Sequence, residues 1–104
     1  MEMLESIKYS WKWVTASELL SHGRCELLCA FVTPSQPQAE VDIYDGENTL
    51  GTRITRMETS SQCCLPFLPK QPIFCRRGLY ISIIKGTLGI FVQWRELGHK
   101  GSGG

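Results

Sequence analysis

Hydrophobic and polar residues alternate with period two through most of this chain, the signature of half-buried β-strands. The strongest stretch runs from Gly78 to Trp94 and divides into Leu79 to Lys85 and Leu88 to Arg95, with Gly86 and Gly89 close to the reversal. Its β-branched and aromatic content predicts a terminal hairpin. In the second strand Leu88, Ile90, Val92 and Trp94 share one parity, while Thr87, Gly89, Gln93 and Arg95 share the other, with Phe91 as the exception. In the first, Leu79, Ile81 and Ile83 oppose Tyr80, Ser82 and Ile84. Strands this apolar need a second layer to cover them.

The remaining chain predicts that layer. From Ser6 to Val14, Ile7, Tyr9, Trp11 and Trp13 face one way, an expected core row, and Ser6, Lys8, Ser10 and Lys12 the other. Lysines on the wet face suit an edge strand, where they discourage foreign pairing. Residues 1 to 5 read as a helical turn or a frayed end. Thr15 to Leu20 reads as a short strand or irregular crossing, with a helical turn capped by Thr15 and Glu18 as the alternative. Along Arg24 to Thr33, Cys25, Leu27, Cys29 and Phe31 share one face, yet Leu28, Ala30 and Val32 make the opposite face apolar too. Pro34 to Pro37 interrupts the ladder.

Ala39 to Asp45 predicts a strand with Val41 and Ile43 inward and Asp42 on the wet face, followed by the turn Asp45-Gly46-Glu47-Asn48. Thr52 to Thr59 alternates poorly, with Arg53 and Arg56 on opposite parities, and predicts an edge strand or one with a central bulge. Pro66, Pro69 and Pro72 limit Cys63 to Cys75 to short edge segments. Seven or eight short strands follow: an all-β fold, an antiparallel β-sandwich of jelly-roll-like form. Residues 1–97 are expected to make one domain, and 98–104 a flexible glycine-rich tail.

Composition changes this picture little. The chain has 104 residues, 42% hydrophobic, with 11 basic and 10 acidic side chains and a net charge of +1. No basic field gathers phosphate backbones, and no run of 18 apolar residues crosses a bilayer, so neither nucleic acid nor membrane is an expected partner. The start of the sequence shows no secretion signal. Cys25, Cys29, Cys63, Cys64 and Cys75 are then expected to be mostly reduced structural thiols, with a bridge between neighbouring strands left open.

Candidate chemistry is sparse. Cys25 and Cys29, on one face of a regular strand, would sit about 13 Å apart, too far to share zinc. A nucleophile needs a base in reach; His22 beside Cys25 is the one such arrangement, since His99 falls in the tail. Glu40, Asp42, Asp45 and Glu47 read as turn and surface acids rather than an acid–base pair or a calcium loop. The glycines form no phosphate-binding pattern. The aromatics at 9, 11 and 13 oppose the lysines, unlike a nucleic-acid stacking platform. No catalytic residue, cofactor or metal ligand is expected.

The segments AEVDIYDGENTLGTRI and CCLPFLPKQPIFCRRGLYISIIKGTLGIFVQW carry a resemblance. Through Val41, Ile43, Tyr44, Asp45, Gly51, Thr52, Leu65, Pro66, Gly78, Leu79, Tyr80, Ile81, Gly86 and Trp94, the chain resembles small β-sandwich proteins of tailed bacteriophages and marine environmental sequences. The likeness covers roughly residues 15 to 95 and consists of turns and core positions. It implies a virion component, at the capsid surface, neck or tail, assembled in the host cytoplasm.

Unabsorbed apolar residues point the same way. Leu28, Ala30 and Val32, with Ile84 and Phe91, occupy parities their strands otherwise give to water, which predicts one covered surface and a homo-oligomer, or contact with other virion proteins, with a loop folded back from Pro34 to Gln38 or Lys70 to Pro72 as the intramolecular alternative. The expected function is a non-enzymatic structural subunit of a phage particle. The alternatives are a carbohydrate-binding module presenting Trp11 or Trp13 and a small cysteine–histidine hydrolase.

Overall fold

A computed structural model describes residues 9–97. Among these the chain forms nine strands: β1 (Ser10–Val14), β2 (Glu18–Ser21), β3 (Cys25–Pro34), β4 (Glu40–Asp45), β5 (Thr52–Glu58), β6 (Leu65–Phe67), β7 (Ile73–Cys75), β8 (Leu79–Lys85) and β9 (Thr87–Glu96). One sheet has the order β1-β9-β3-β6, with β7 also pairing β3; the other has the order β2-β8-β4-β5. Every ladder is antiparallel. The β-sandwich expected from the alternation is the fold. The proline-marked crossing resolves into two three-residue strands, β6 and β7, and Thr15 to Leu20 into the short strand rather than the helical turn. The tail at 98–104 with His99, and the start at 1–8, lie outside the described residues.

The terminal hairpin is a correction. β8 pairs with β2 and β4, whereas β9 pairs with β1 and β3, so the two most apolar strands lie in different sheets. Side by side they would present one apolar face; across the sandwich they bury two against each other. Leu79 and Ile81 from β8 and Ile90 and Val92 from β9 are fully buried in one core cluster with Val14, Leu27, Val32, Val41 and Ile43. Gly86 makes the crossing with φ +63°, and a Cβ there would collide with the Gln38 carbonyl, so only glycine fits. The Gly86 carbonyl also accepts from the Ser35 N–H at 2.8 Å, tying the crossing to the Pro34–Pro37 loop.

β1 is reversed relative to expectation. Val14 enters the core, which places Ser10 and Lys12 on the inward parity and Trp11 and Trp13 outside. An inward-parity lysine is tolerated because β1 is an edge strand: Lys12 reaches across the open side of the sandwich to Glu18 on β2, at 2.6 Å.

Candidate functional site

β3 explains where the exposed apolar surface lies. Leu27 faces Trp94 on β9 and Cys29 faces Gln93, so Leu28 is an extra residue, a β-bulge. Parity flips there. Cys25 and Leu27 point inward before the bulge, and Ala30 and Val32 point inward after it; all four are fully buried. The two apolar rows of the sequence are therefore a single core row with a step in it. Ala30 and Val32 belong to this chain's own core and are withdrawn from the expected contact surface. The same bulge separates Cys25, in the core, from Cys29, which pairs with Gln93 on the outer face at 3.7 Å. Leu28 is half-buried at the bulge itself.

The outer face of this sheet is aromatic. In register across it, Trp13 on β1 faces Phe91 on β9, which faces Phe31 on β3; one pair along, Trp11 faces Gln93, which faces Cys29. The Trp11 and Phe91 rings lie 5.9 Å apart and the Phe31 and Phe91 rings 6.2 Å apart, within the range of favourable tilted contacts. Trp11 is 66% exposed, Trp13 42% and Phe31 37%. Gly89 seats Trp13: a Cβ added there would strike the indole ring. Polar neighbours on this face are Gln93, Thr33 and the ion pair Glu26–Arg95, in which the opposite charges neutralise each other. Of the expected contact residues, Phe91 sits at the centre of this stripe. Ile84, 44% exposed on β8, belongs to the other sheet, so the two do not share a surface. Trp11, Trp13 and Phe31 face outward against the expected parity, because a bulge and an edge are invisible to period counting.

On the four-stranded sheet, Asp42 is only 2% exposed rather than wet, beneath Arg56, Arg53 and Tyr44. Arg56 donates to its carboxylate at 2.7 and 2.9 Å, a bidentate pair. Both arginines reach one carboxylate because the register slips between Ile43 and Tyr44, the central bulge that the poor alternation of β5 predicts. The Arg56 hydrogen bonds hold the Asp42 carboxyl below its ordinary range despite burial, and the Asp42 carboxylate in turn raises Arg56.

At one end of the sandwich three connections enclose an open depression of about 1000 Å³, lined by His22, Arg24, Asn48, Arg76, Arg77 and Glu96 among others. Asp45 does not simply form its turn: its carboxylate accepts from the backbone N–H of Arg76 at 3.1 Å and of Arg77 at 2.9 Å. Gly78 closes the junction, where a Cβ would stand 2.6 Å from the Ser21 carbonyl oxygen and 2.8 Å from that of Gly46. Glu96 is fixed by Ser21, which donates at 2.8 Å, and by the Trp94 indole N–H at 2.9 Å. Arg24 lies over the Phe74 ring at 5.9 Å. His22 lines this depression, but no cysteine does; Cys25 is sealed in the core. Among the described residues, no three His, Cys, Asp or Glu side chains converge as metal ligands. No protein-family model matches this sequence, and no curated protein matches it.

Proposed function

We propose that this chain is a non-enzymatic assembly subunit that stacks the outer face of its five-stranded sheet on the same face of a second copy. One observation carries the reading: the exposed Trp11, Trp13 and Phe31 meet around the half-buried Phe91 in an aromatic stripe across three adjacent strands. Large aromatic patches open to water are uncommon on monomers and mark contact surfaces.

A second copy suits this face because the charges beside the stripe, Glu26 and Arg95, neutralise each other, and a two-fold contact requires self-complementarity. Burying on the order of 100 Å² on each exposed ring stabilises by about 2.5 kcal/mol per ring. Both copies contribute, so the gross gain is on the order of 15 kcal/mol, set against an association cost of about 4 to 15 kcal/mol. The difference, between about 0 and 11 kcal/mol, includes the roughly micromolar affinity of a concentration-dependent dimer, about 8 kcal/mol. The likeness to tailed-phage β-sandwich proteins makes the virion the setting we propose for that contact.

Exposed Trp11 also favours a carbohydrate platform, the second reading. Sugar sites add polar side chains that orient hydroxyls around the aromatic surface, and the stripe has Gln93 and Thr33 but neither Asp nor Asn. Sedimentation equilibrium of the wild-type chain and Phe31→Asp separates the readings. The assembly reading expects a wild-type dimer at about 100 micromolar and a folded monomeric variant. A monomeric wild-type chain that is retarded on immobilised polysaccharide would replace assembly with sugar binding.

A further inference from the structure

Two core cysteines adjoin, in sequence, arginines that line the end depression. Cys25 and Cys75 are direct partners in the β3–β7 ladder, both fully buried. Direct antiparallel partners have Cα atoms about 4.5 to 5.5 Å apart, inside the roughly 4.4 to 6.8 Å range a disulfide spans. The thiols perturb each other: the neighbouring Cys75 lowers the pKa of Cys25, while Cys75 is pushed up by Cys25 and by burial. One partner is thus biased towards the nucleophilic thiolate and the other towards the thiol.

We propose that Cys25 and Cys75 form a reversible disulfide, a covalent clasp between β3 and β7. The oxidant is a low-molecular-weight disulfide. The Cys25 thiolate attacks one of its sulfurs and expels a first thiolate, giving a mixed disulfide at Cys25. The Cys75 thiol, after losing its proton, attacks the Cys25 sulfur and expels the second thiolate. Two protein thiols are oxidised, one external disulfide is reduced, and the two protons end on the two released thiols.

Access comes through β7. This strand has three residues, pairs only with β3, and leaves Phe74 48% exposed, so it belongs to the class of short edges that open locally without global unfolding. Closing the bridge has a consequence for the depression above it. Arg24 directly precedes Cys25 and Arg76 directly follows Cys75, so the clasp covalently joins the two backbone segments that carry these arginines. None of Arg24, Arg76 and Arg77 is in a salt bridge among the described residues. In a reducing compartment the pair stays as thiols, and bridging marks exposure to an oxidising one.

The test is incubation of the folded chain with oxidised glutathione, removal of the reagent, and peptide mapping without reductant. Cys63 and Cys64 are exposed and compete for the reagent, so the same experiment is run on a Cys29→Ser, Cys63→Ser, Cys64→Ser variant. Expected are a peptide linking Cys25 to Cys75 in the wild-type chain, and a variant that loses two hydrogens in mass and titrates no thiol when unfolded. A wild-type map that shows only glutathione adducts or a Cys63–Cys64 link, with Cys25 and Cys75 both free, overturns the proposal even if the variant does not fold.

Discussion

The Trp13 indole occupies the space above Gly89 that a Cβ at that position would need. This glycine of β9 is thus a seat for an edge-strand aromatic, not a turn residue. Gly89→Ala is expected to keep the fold, because the neighbour that must yield is the far end of a side chain. It should displace the indole from the stripe, shift tryptophan emission and weaken self-association about tenfold, which is about 1.4 kcal/mol. Fluorescence spectra with sedimentation equilibrium check both effects.

Two neighbours should respond in opposite ways to the same substitution. Val32→Asp places a carboxylate in the fully buried core, at a cost of several kcal/mol against a total stability of about 5 to 15 kcal/mol. The variant is expected to be largely unfolded. Phe31→Asp lies on the outer face, 37% exposed, and should melt close to the wild-type temperature while losing association. Circular dichroism melting curves of the two variants compare them directly.

Much of the fold was legible because alternation is local. Ile90, Val92 and Trp94, Leu79 and Ile81, and Val41 and Ile43 all face the core as their parity predicts. The Asp45–Asn48 turn connects β4 to β5 as read. Three features were not legible, each for a physical reason. A bulge at Leu28 adds one residue on one side of a ladder and has no signature of its own in composition. Gly86 looks the same whether it turns the chain back within a sheet or carries it to the other one. The direction of β1 depends on Val14 alone reaching the core, and on a seat at Gly89 far away in sequence. The aromatic surface follows from the bulge and from the direction of β1, so Trp11, Trp13 and Phe31 stand on parities that period counting gives to the core.

Asp42 gives the molecule an acid limb. Its carboxyl is held below the ordinary range mainly by hydrogen bonds from Arg56, while the unfolded value is about 3.9. A lowered folded pKa contributes stability that is present above the unfolded value and is lost as pH falls through the folded one. Urea midpoints should therefore decline below about pH 4. Asp42→Asn should lower stability at neutral pH and flatten that decline. Arg56→Ala should be the more damaging arginine substitution, since Arg53 approaches no closer than 3.7 Å.

The most direct test of the aromatic contact uses the protein's own tryptophans. Of the three, Trp94 is buried to 7%, while Trp11 and Trp13 both lie on the outer stripe. Acrylamide quenching measured across protein concentrations from about 1 to 100 micromolar, spanning the expected dissociation constant, reads that face and little else. Strong quenching is expected in dilute solution, falling as concentration rises, with no such fall for Phe31→Asp. Quenching that stays constant across the range in the wild-type chain would show the stripe still open to water and contradict the stacked-sheet contact.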